Sequence, residues 1–176
     1  MKPGLLILFT FISTTMFAQR DTVKLREIQK NQKSIVTDRP PQAVYFQFGG
    51  SGPLLSVNYD RRFGKKVNGA GFTAGIGFFK VEHVNIFSIP VSLNYLFGKR
   101  SSFLEVAAGT TFVTATNFDF YDENERSTGS AFIHHVNLGY RYQPYAGGFF
   151  FRGGISPLFA QQVFFTSYYL GFGHNF

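Results

Sequence analysis

Alternation with a period of two constrains the fold of this chain more than any other feature of its sequence. In residues 87–97, large apolar or aromatic side chains alternate with side chains that are mostly polar or small. Because successive side chains of a strand point to opposite faces, this period indicates strands rather than helices. Eight segments share the alternation, three of them clearly and five more weakly: 43–48, 54–63, 70–79, 87–97, 103–113, 132–142, 149–159 and 164–176.

Turn-forming residues separate several of these segments. Residues 64–69 end in Asn68-Gly69, a strong signal for a tight hairpin turn, and residues 98–102 and 143–148 are similarly rich in turn formers. No helical pattern falls between the predicted strands. Successive strands are therefore expected to run antiparallel, as a meander.

The polarity of the two strand faces favours a membrane barrel over a soluble one. A soluble sandwich or a lipocalin-type barrel alternates as well. Here, however, one face is polar or small and the other is aliphatic, with aromatic residues near both strand ends, as on a transmembrane barrel. The segments are about ten residues long, the length that a tilted membrane strand needs. The sequence thus predicts an all-β fold, an eight-stranded antiparallel up-and-down transmembrane β-barrel formed by residues 42–176.

Composition excludes several classes of function. The chain has no cysteine, which excludes a disulfide scaffold, a thiol nucleophile and a Cys-ligated metal site. Aromatic residues make up 19% of the chain and charged residues only 15%. The net charge of +7 arises mostly from residues 19–41 and from the turns, without a helix that could read bases. Nucleic-acid binding is therefore not expected.

The first 41 residues differ from the rest. Lys2 precedes a short apolar run at 5–12, and small or polar residues follow as far as Ala18. This is the layout of a signal peptide, so residues 1–18 are predicted to be cleaved during export. Residues 19–41 are polar and end in Pro40-Pro41, which predicts a periplasmic lead-in to the barrel.

The sequences at the strand ends resemble those of a known family. Residues 58–63 and 95–99, together with the final strand, are similar to small eight-stranded outer-membrane barrels of Gram-negative bacteria, of the OmpA/OmpX-like type and mostly uncharacterised. The resemblance covers residues 43–176. The final strand is similar to the signal that such proteins present to the barrel-insertion machinery, with His174 as a departure and with these matching positions: Tyr168, Leu170, Phe172 and Phe176.

This resemblance implies a location rather than an activity. It implies the cell outer membrane, with contacts to lipid and lipopolysaccharide and transient contact with the insertion machinery. A monomer without cofactor or metal is expected. If the C-terminus is periplasmic, the longest predicted connection, residues 114–130, lies outside the cell. Its acidic residues, Asp119, Asp122, Glu123 and Glu125, are interpreted as solvated, and binding of a divalent cation stays open.

Five charged residues occupy strand positions whose side chains alternate with the outward apolar ones and are therefore predicted to face the lumen. Unpaired charges inside a narrow barrel are costly, so these residues are predicted to form an ion-paired plug. The alternative is a narrow gated channel that opens when the pairs break. The five residues are Asp60, Arg62, Glu105, Arg141 and Arg152.

Two residues of outward parity bear on other functions. Arg61 is predicted to face lipid near the inner headgroups, where an arginine is tolerated. His134 suggests a lipid-modifying enzyme, but Val136 stands where a His-x-Ser arrangement would need a serine. The protein is therefore predicted to be non-catalytic and to present extracellular loops, with the channel and then the enzyme as alternatives.

Overall fold

A computed structural model describes residues 39–52, 54–81, 83–118, 126–160 and 163–176. Eight strands account for most of these residues: β1 Gln42–Gly49, β2 Leu55–Arg62, β3 Gly69–Val81, β4 Val84–Lys99, β5 Ser102–Phe118, β6 Arg126–Tyr142, β7 Gly148–Ala160 and β8 Val163–Asn175. Within these ranges, no helix is long and apolar enough to cross a bilayer.

The strands form one closed barrel in the order β1 to β8, and every neighbouring pair is antiparallel. The first and last strands close it: Ala43 pairs with Asn175, and Phe48 pairs with Leu170. Two further hydrogen bonds join Gln42 and Phe176, N to O in both directions, at 3.0 and 2.9 Å. Since every strand has two partners, the barrel has no continuous open edge. The predicted fold class and meander order are confirmed.

The barrel is polar inside and apolar outside. Inward side chains such as Asn58, Asn94 and Asn137 are buried, whereas the outward Leu93 and Phe132 are 64% and 60% exposed. This is the reverse of a water-soluble protein, whose apolar side chains are mostly buried. The alternation in the sequence therefore places its apolar face outward, as a transmembrane barrel requires.

The strands differ in length, so the two ends of the barrel differ. We call the end that holds Gln42 and Phe176 the terminal end, and the opposite end the far end. β1 and β2 have 8 residues each, whereas β5 and β6 have 17 each and extend further at the far end.

The length of β5 and β6 corrects the sequence analysis, which assigned residues 114–130 to a connection. Thr114 pairs with Ser130 and Thr116 with Thr128, so only residues 119–125 separate the two strands. Threonine favours strands, and these hydroxyl pairs continue the ladder although they lack the apolar alternation that reveals the other strands. The acidic residues Asp119, Asp122, Glu123 and Glu125 lie outside the described residues, as does the predicted signal peptide.

Candidate functional site in the lumen and on the outer surface

A network of buried ion pairs fills the lumen near the terminal end. At its centre, Asp60 on β2 accepts hydrogen bonds from two arginines. Arg62 Nη2 lies 2.8 Å from Asp60 Oδ1, and Arg141 donates to both carboxylate oxygens at 3.0 and 3.1 Å. Arg141 is on β6, so this contact crosses the lumen from one wall to another.

Glu105 on β5 extends the network. It accepts two hydrogen bonds from Arg141, at 2.6 Å to Oε1 and 3.0 Å to Oε2, and its Oε1 lies 3.2 Å from Arg152 Nη2. The charges therefore alternate along one chain of contacts, from Arg62 through Asp60, Arg141 and Glu105 to Arg152. The structure brings together all five residues that sequence parity placed in the lumen.

Neutral side chains complete the hydrogen bonding of Asp60. Thr73 Oγ1 and Asn94 Nδ2 donate to its Oδ2 at 2.8 and 2.7 Å, and Asn94 Oδ1 accepts from Arg62. Sequence reasoning did not single out Thr73 or Asn94. Alternation along β3 and β4 indicates that both side chains face the lumen. It does not indicate which of the polar lumen residues lie close enough to Asp60 to bind it.

Aromatic rings surround the third arginine, Arg152, which shares the Glu105 carboxylate with Arg141. Three guanidiniums share two carboxylates in this network, which leaves one excess positive charge. The Arg152 guanidinium lies 5.2 Å from the ring centroid of Tyr45 and 4.8 Å from that of Tyr169, and it also donates to the Tyr45 hydroxyl. Such cation–π contacts stabilise a desolvated cation.

A cluster of buried apolar side chains lies at the terminal end of the lumen. Val67, in the turn between β2 and β3, packs with the inward side chains of Leu96 and Phe103, and all three are buried. Tyr145, in the turn between β6 and β7, covers this cluster with its ring 6.4 Å from that of Phe103. Burial raises the pKa of the Tyr145 hydroxyl. Sequence analysis interpreted residues 64–69 only as a turn and missed the inward position of Val67.

At the far end, the turn between β1 and β2 reaches across the lumen. Thr111 Oγ1, on β5, donates to the Ser51 carbonyl oxygen at 2.6 Å, and β5 lies on the wall opposite β1. The Gly50 amide donates to Ser167 Oγ on β8 at 3.2 Å. Gly50 has a φ of +71°, and a Cβ added there would lie 2.7 Å from the Tyr169 Cβ, so only glycine suits this position. Residues 50–52 therefore lie over the mouth of the barrel.

Among the described residues, no serine directly neighbours His134 on the outer face. His134 lies on the outer face, paired with Thr110 and Phe159, and the next outward residue on its strand is Val136. Ser130 Oγ lies 3.2 Å from Thr114 Oγ1. Across the residues that the structure describes, no three His, Asp or Glu side chains are grouped so that they could hold a metal ion.

Two rings of aromatic side chains bound the apolar outer surface. The ring nearer the far end includes the cross-strand pairs Phe112–Phe132 and Phe159–Phe164, with centroids 5.3 and 5.1 Å apart. The members of this far ring are Phe78, Phe87, Phe112, Phe132, Phe159 and Phe164. A near ring surrounds the terminal end, and its members are Phe63, Tyr95, Phe97, Tyr140, Tyr142, Phe149 and Phe176.

The belt between the two rings has the height of a membrane interior. Ten residues separate Phe132 from Tyr142 on β6. At roughly 3.3 Å per residue and a tilt near 40°, this distance is about 25 Å, the height of the apolar band on outer-membrane barrels. The outward residues between the rings are mainly aliphatic, and Leu138, Val91 and Leu170 are examples.

Comparison with known proteins supports the fold. No family model and no curated protein matches the sequence. The structure is similar to the N-terminal β-barrel domain of OprF from Pseudomonas aeruginosa, with a TM-score of 0.59 at 13% identity, over 80% of this chain and 98% of that one. It is also similar to Ail, the attachment invasion locus protein of Yersinia pestis, with a TM-score of 0.50 at 14% identity, over 78% and 97%. The chain therefore has the fold of the small outer-membrane barrels that its sequence resembles.

Proposed function

We propose that this protein is an integral, non-catalytic protein of the bacterial outer membrane, with a closed lumen, that presents its far end to the outside of the cell. The observation that carries this proposal is the apolar belt of about 25 Å between two aromatic rings on a closed barrel. Exposed in water, such a belt would be a very large apolar patch of the kind that soluble monomers avoid. A bilayer removes that cost, and the closed ladder of hydrogen bonds satisfies the backbone within it.

The interior supports a closed lumen. The apolar cluster of Val67, Leu96 and Phe103 lies at the terminal end, the ion-pair network lies beside it, and residues 50–52 lie at the far end. An eight-stranded barrel has an interior just wide enough for side chains to fill. A role that depends on the outer surface and the far end fits this interior better than transport through it.

The final strand supports one orientation of the barrel in the membrane. The side chains of Tyr168, Leu170, Phe172 and Phe176 all lie exposed on the outer face, where a pattern read by the insertion machinery has to be displayed. On this basis the terminal end is periplasmic, and the β5–β6 hairpin is the part that reaches furthest outside. Residues 1–18 would then be the cleaved signal and residues 19–41 a periplasmic lead-in, and the barrel would be a monomer in contact with lipid and lipopolysaccharide.

Fractionation tests the location. The full-length chain, produced in a Gram-negative host, should sediment with the outer membrane and resist extraction by alkaline carbonate. A protease site inserted within residues 119–125 should be cut in intact cells, whereas one inserted between Lys65 and Lys66 should be cut only after the outer membrane is opened. Recovery in the soluble periplasmic fraction would contradict the proposal.

A narrow gated channel is the second candidate. It is favoured by the polar side chains that line the lumen between the ion pairs and the far end, including Ser56, Asn58, Asn137 and Ser156. All contacts that close the lumen are noncovalent, so they can open in principle. Steady unitary currents from the refolded protein in a planar bilayer would favour the channel, and silence over long recordings would favour the closed barrel.

A further inference from the structure

A shallow groove on the outer surface runs across β1, β2 and β3. It has a volume of about 450 Å³ and lies within the apolar belt. It is lined by Val44, Val57, Asn58, Tyr59, Ala74, Gly75 and Ile76. The Asn58 side chain is buried on the lumen side, where it donates to Ser56 Oγ, so the outward side chains of the lining are apolar except for the Tyr59 hydroxyl. The groove therefore offers a hydrocarbon-compatible recess on the outer surface.

Two features of the sequence create this recess. Ala74 pairs with Tyr59 and has only a methyl group to fill the space between the strands. The Tyr59 side chain leans away from that space towards the terminal end, where its hydroxyl donates to Gln42 Oε1 at 2.6 Å and its ring lies edge-on to Phe72 at 6.1 Å. Gln42 and Phe72 both pair with Arg61, one outward step nearer the terminal end than Tyr59.

Arg61 stands at the terminal end of the groove. Its side chain is exposed on the outer face, between the positions of Tyr59 and Phe63 on the same strand. Among the described residues, Arg61 forms no ion pair, because the adjacent Asp60 faces inward and is engaged by Arg62 and Arg141. An arginine facing lipid is tolerated at the interface, where the phosphate groups of the bilayer lie.

This arrangement has the polarity of one lipid molecule. A cation lies at the edge of the belt, and an apolar recess extends from it towards the middle of the membrane. We propose that the groove and Arg61 together bind a phospholipid of the inner leaflet, with its phosphate on the Arg61 guanidinium and an acyl chain along Ala74. The inference rests on the proposed membrane location and orientation.

The two halves of the site match the two halves of a phospholipid: the Arg61 guanidinium matches the phosphate, and the apolar recess matches an acyl chain. A guanidinium donates two parallel hydrogen bonds to phosphate oxygens, which gives it a geometric preference that a lysine lacks. The acyl chain gains van der Waals contacts by packing into the recess beside Ala74. Elsewhere on the belt, the small outward residue Ala108 on β5 is followed towards the terminal end by the apolar Val106 and Leu104, so that strand provides no such cation.

Native mass spectrometry of the detergent-solubilised full-length protein tests the site. The protein is titrated with dioleoylphosphatidylglycerol, with dioleoylglycerol as the lipid that lacks phosphate, and with inorganic phosphate as a competitor. We expect one saturable phospholipid, bound about three- to fivefold more tightly than dioleoylglycerol, the range of an exposed ion pair. Inorganic phosphate should not displace it, because phosphate alone does not fill the groove.

Two variants and two matched controls separate the halves of the site. Arg61→Gln should abolish the preference for the phospholipid, and Ala74→Leu, which fills the groove, should weaken binding of both lipids. Lys99→Gln removes a different cation near the terminal end and Ala108→Leu enlarges an outward alanine on another strand, and both variants should bind as the parent protein does. If Lys99→Gln loses the preference for the phospholipid as fully as Arg61→Gln does, the preference reflects general surface charge, and the proposal is overturned.

Further outcomes would also overturn it. Unchanged binding in both groove variants, or full displacement by inorganic phosphate, would contradict a site of this composition. Each variant is first checked for a mobility difference between unheated and boiled samples. A protein that passes this check yet binds no lipid selectively refutes the lipid site alone, whereas a parent protein that never enters a membrane refutes the proposed function.

Discussion

Arg141 and Glu105 face each other across neighbouring strands as a bidentate ion pair, with Nη2 2.6 Å from Oε1 and Nε 3.0 Å from Oε2. Both side chains are 0% exposed. Removing one member of such a pair leaves a buried charge without its partner, which typically costs about 3–5 kcal/mol. Substitutions that break this pair are therefore expected to lower the free energy of unfolding strongly.

Glu105→Ala should lower the free energy of unfolding by an amount within that range, about 3–5 kcal/mol, because Arg141 and Arg152 both lose a carboxylate. Urea titration of the protein refolded in lipid vesicles measures this change. Val106→Ala is the matched control on the outer face of the same strand, and it should have a much smaller effect because lipid replaces the lost contact. Equal effects in the two variants would mean that the inward register of β5 is wrong.

Arg141 and Arg152 should contribute unequally to the stability of the barrel. Arg141 contacts both carboxylates, so Arg141→Met should cost about 3–5 kcal/mol. Arg152 contacts one carboxylate and two aromatic rings, and its removal leaves two guanidiniums with two carboxylates. Arg152→Met should therefore cost only about 2 kcal/mol, the value of a desolvated cation–π contact. The same urea titration compares the two variants, and a larger loss for Arg152→Met would contradict the proposed balance of charge.

The depth of the belt can be measured with an introduced charge. Leu138→Arg places a cation on the outer face between the two rings and should destabilise the barrel by about 2–4 kcal/mol. Thr128→Arg lies on the same strand and face but beyond Phe132, and it should cost about 0–1 kcal/mol. Equal losses, measured as unfolding free energy in vesicles, would show that the far ring does not mark a membrane boundary.

One hydrogen bond across the lumen and one to the neighbouring β8 hold the turn between β1 and β2. Thr111→Val removes the donor to Ser51 and should cost about 1 kcal/mol. It should also speed hydrogen exchange of the amides in residues 49–52. Thr114→Val, an outward hydroxyl on the same strand, should leave that exchange unchanged. If exchange at residues 49–52 is equally slow in both variants, other contacts hold the turn in place.

Most of the fold was predictable from the sequence, because parity along a strand decides which residues face the lumen. Asp60 and Glu105 each come directly after a residue that faces outward, so alternation predicts that their own side chains face the lumen. Parity could not reveal their partners, since the contact between Asp60 and Arg141 depends on the stagger of strands that are not neighbours. Val67 lies in a turn, where no period applies, and the pairing of Thr116 with Thr128 lacks the apolar alternation that marks other strands.

Gel mobility after refolding tests whether this chain folds as a barrel inside a bilayer. The chain without residues 1–18 is unfolded in urea and diluted into phospholipid vesicles, and unheated and boiled samples are then compared by electrophoresis in dodecyl sulfate. We expect the unheated protein to migrate as a separate, compact band and to show β-type circular dichroism, and we expect boiling to convert it to the unfolded band. A single band in both samples, with the protein remaining in solution apart from the vesicles, would contradict this expectation.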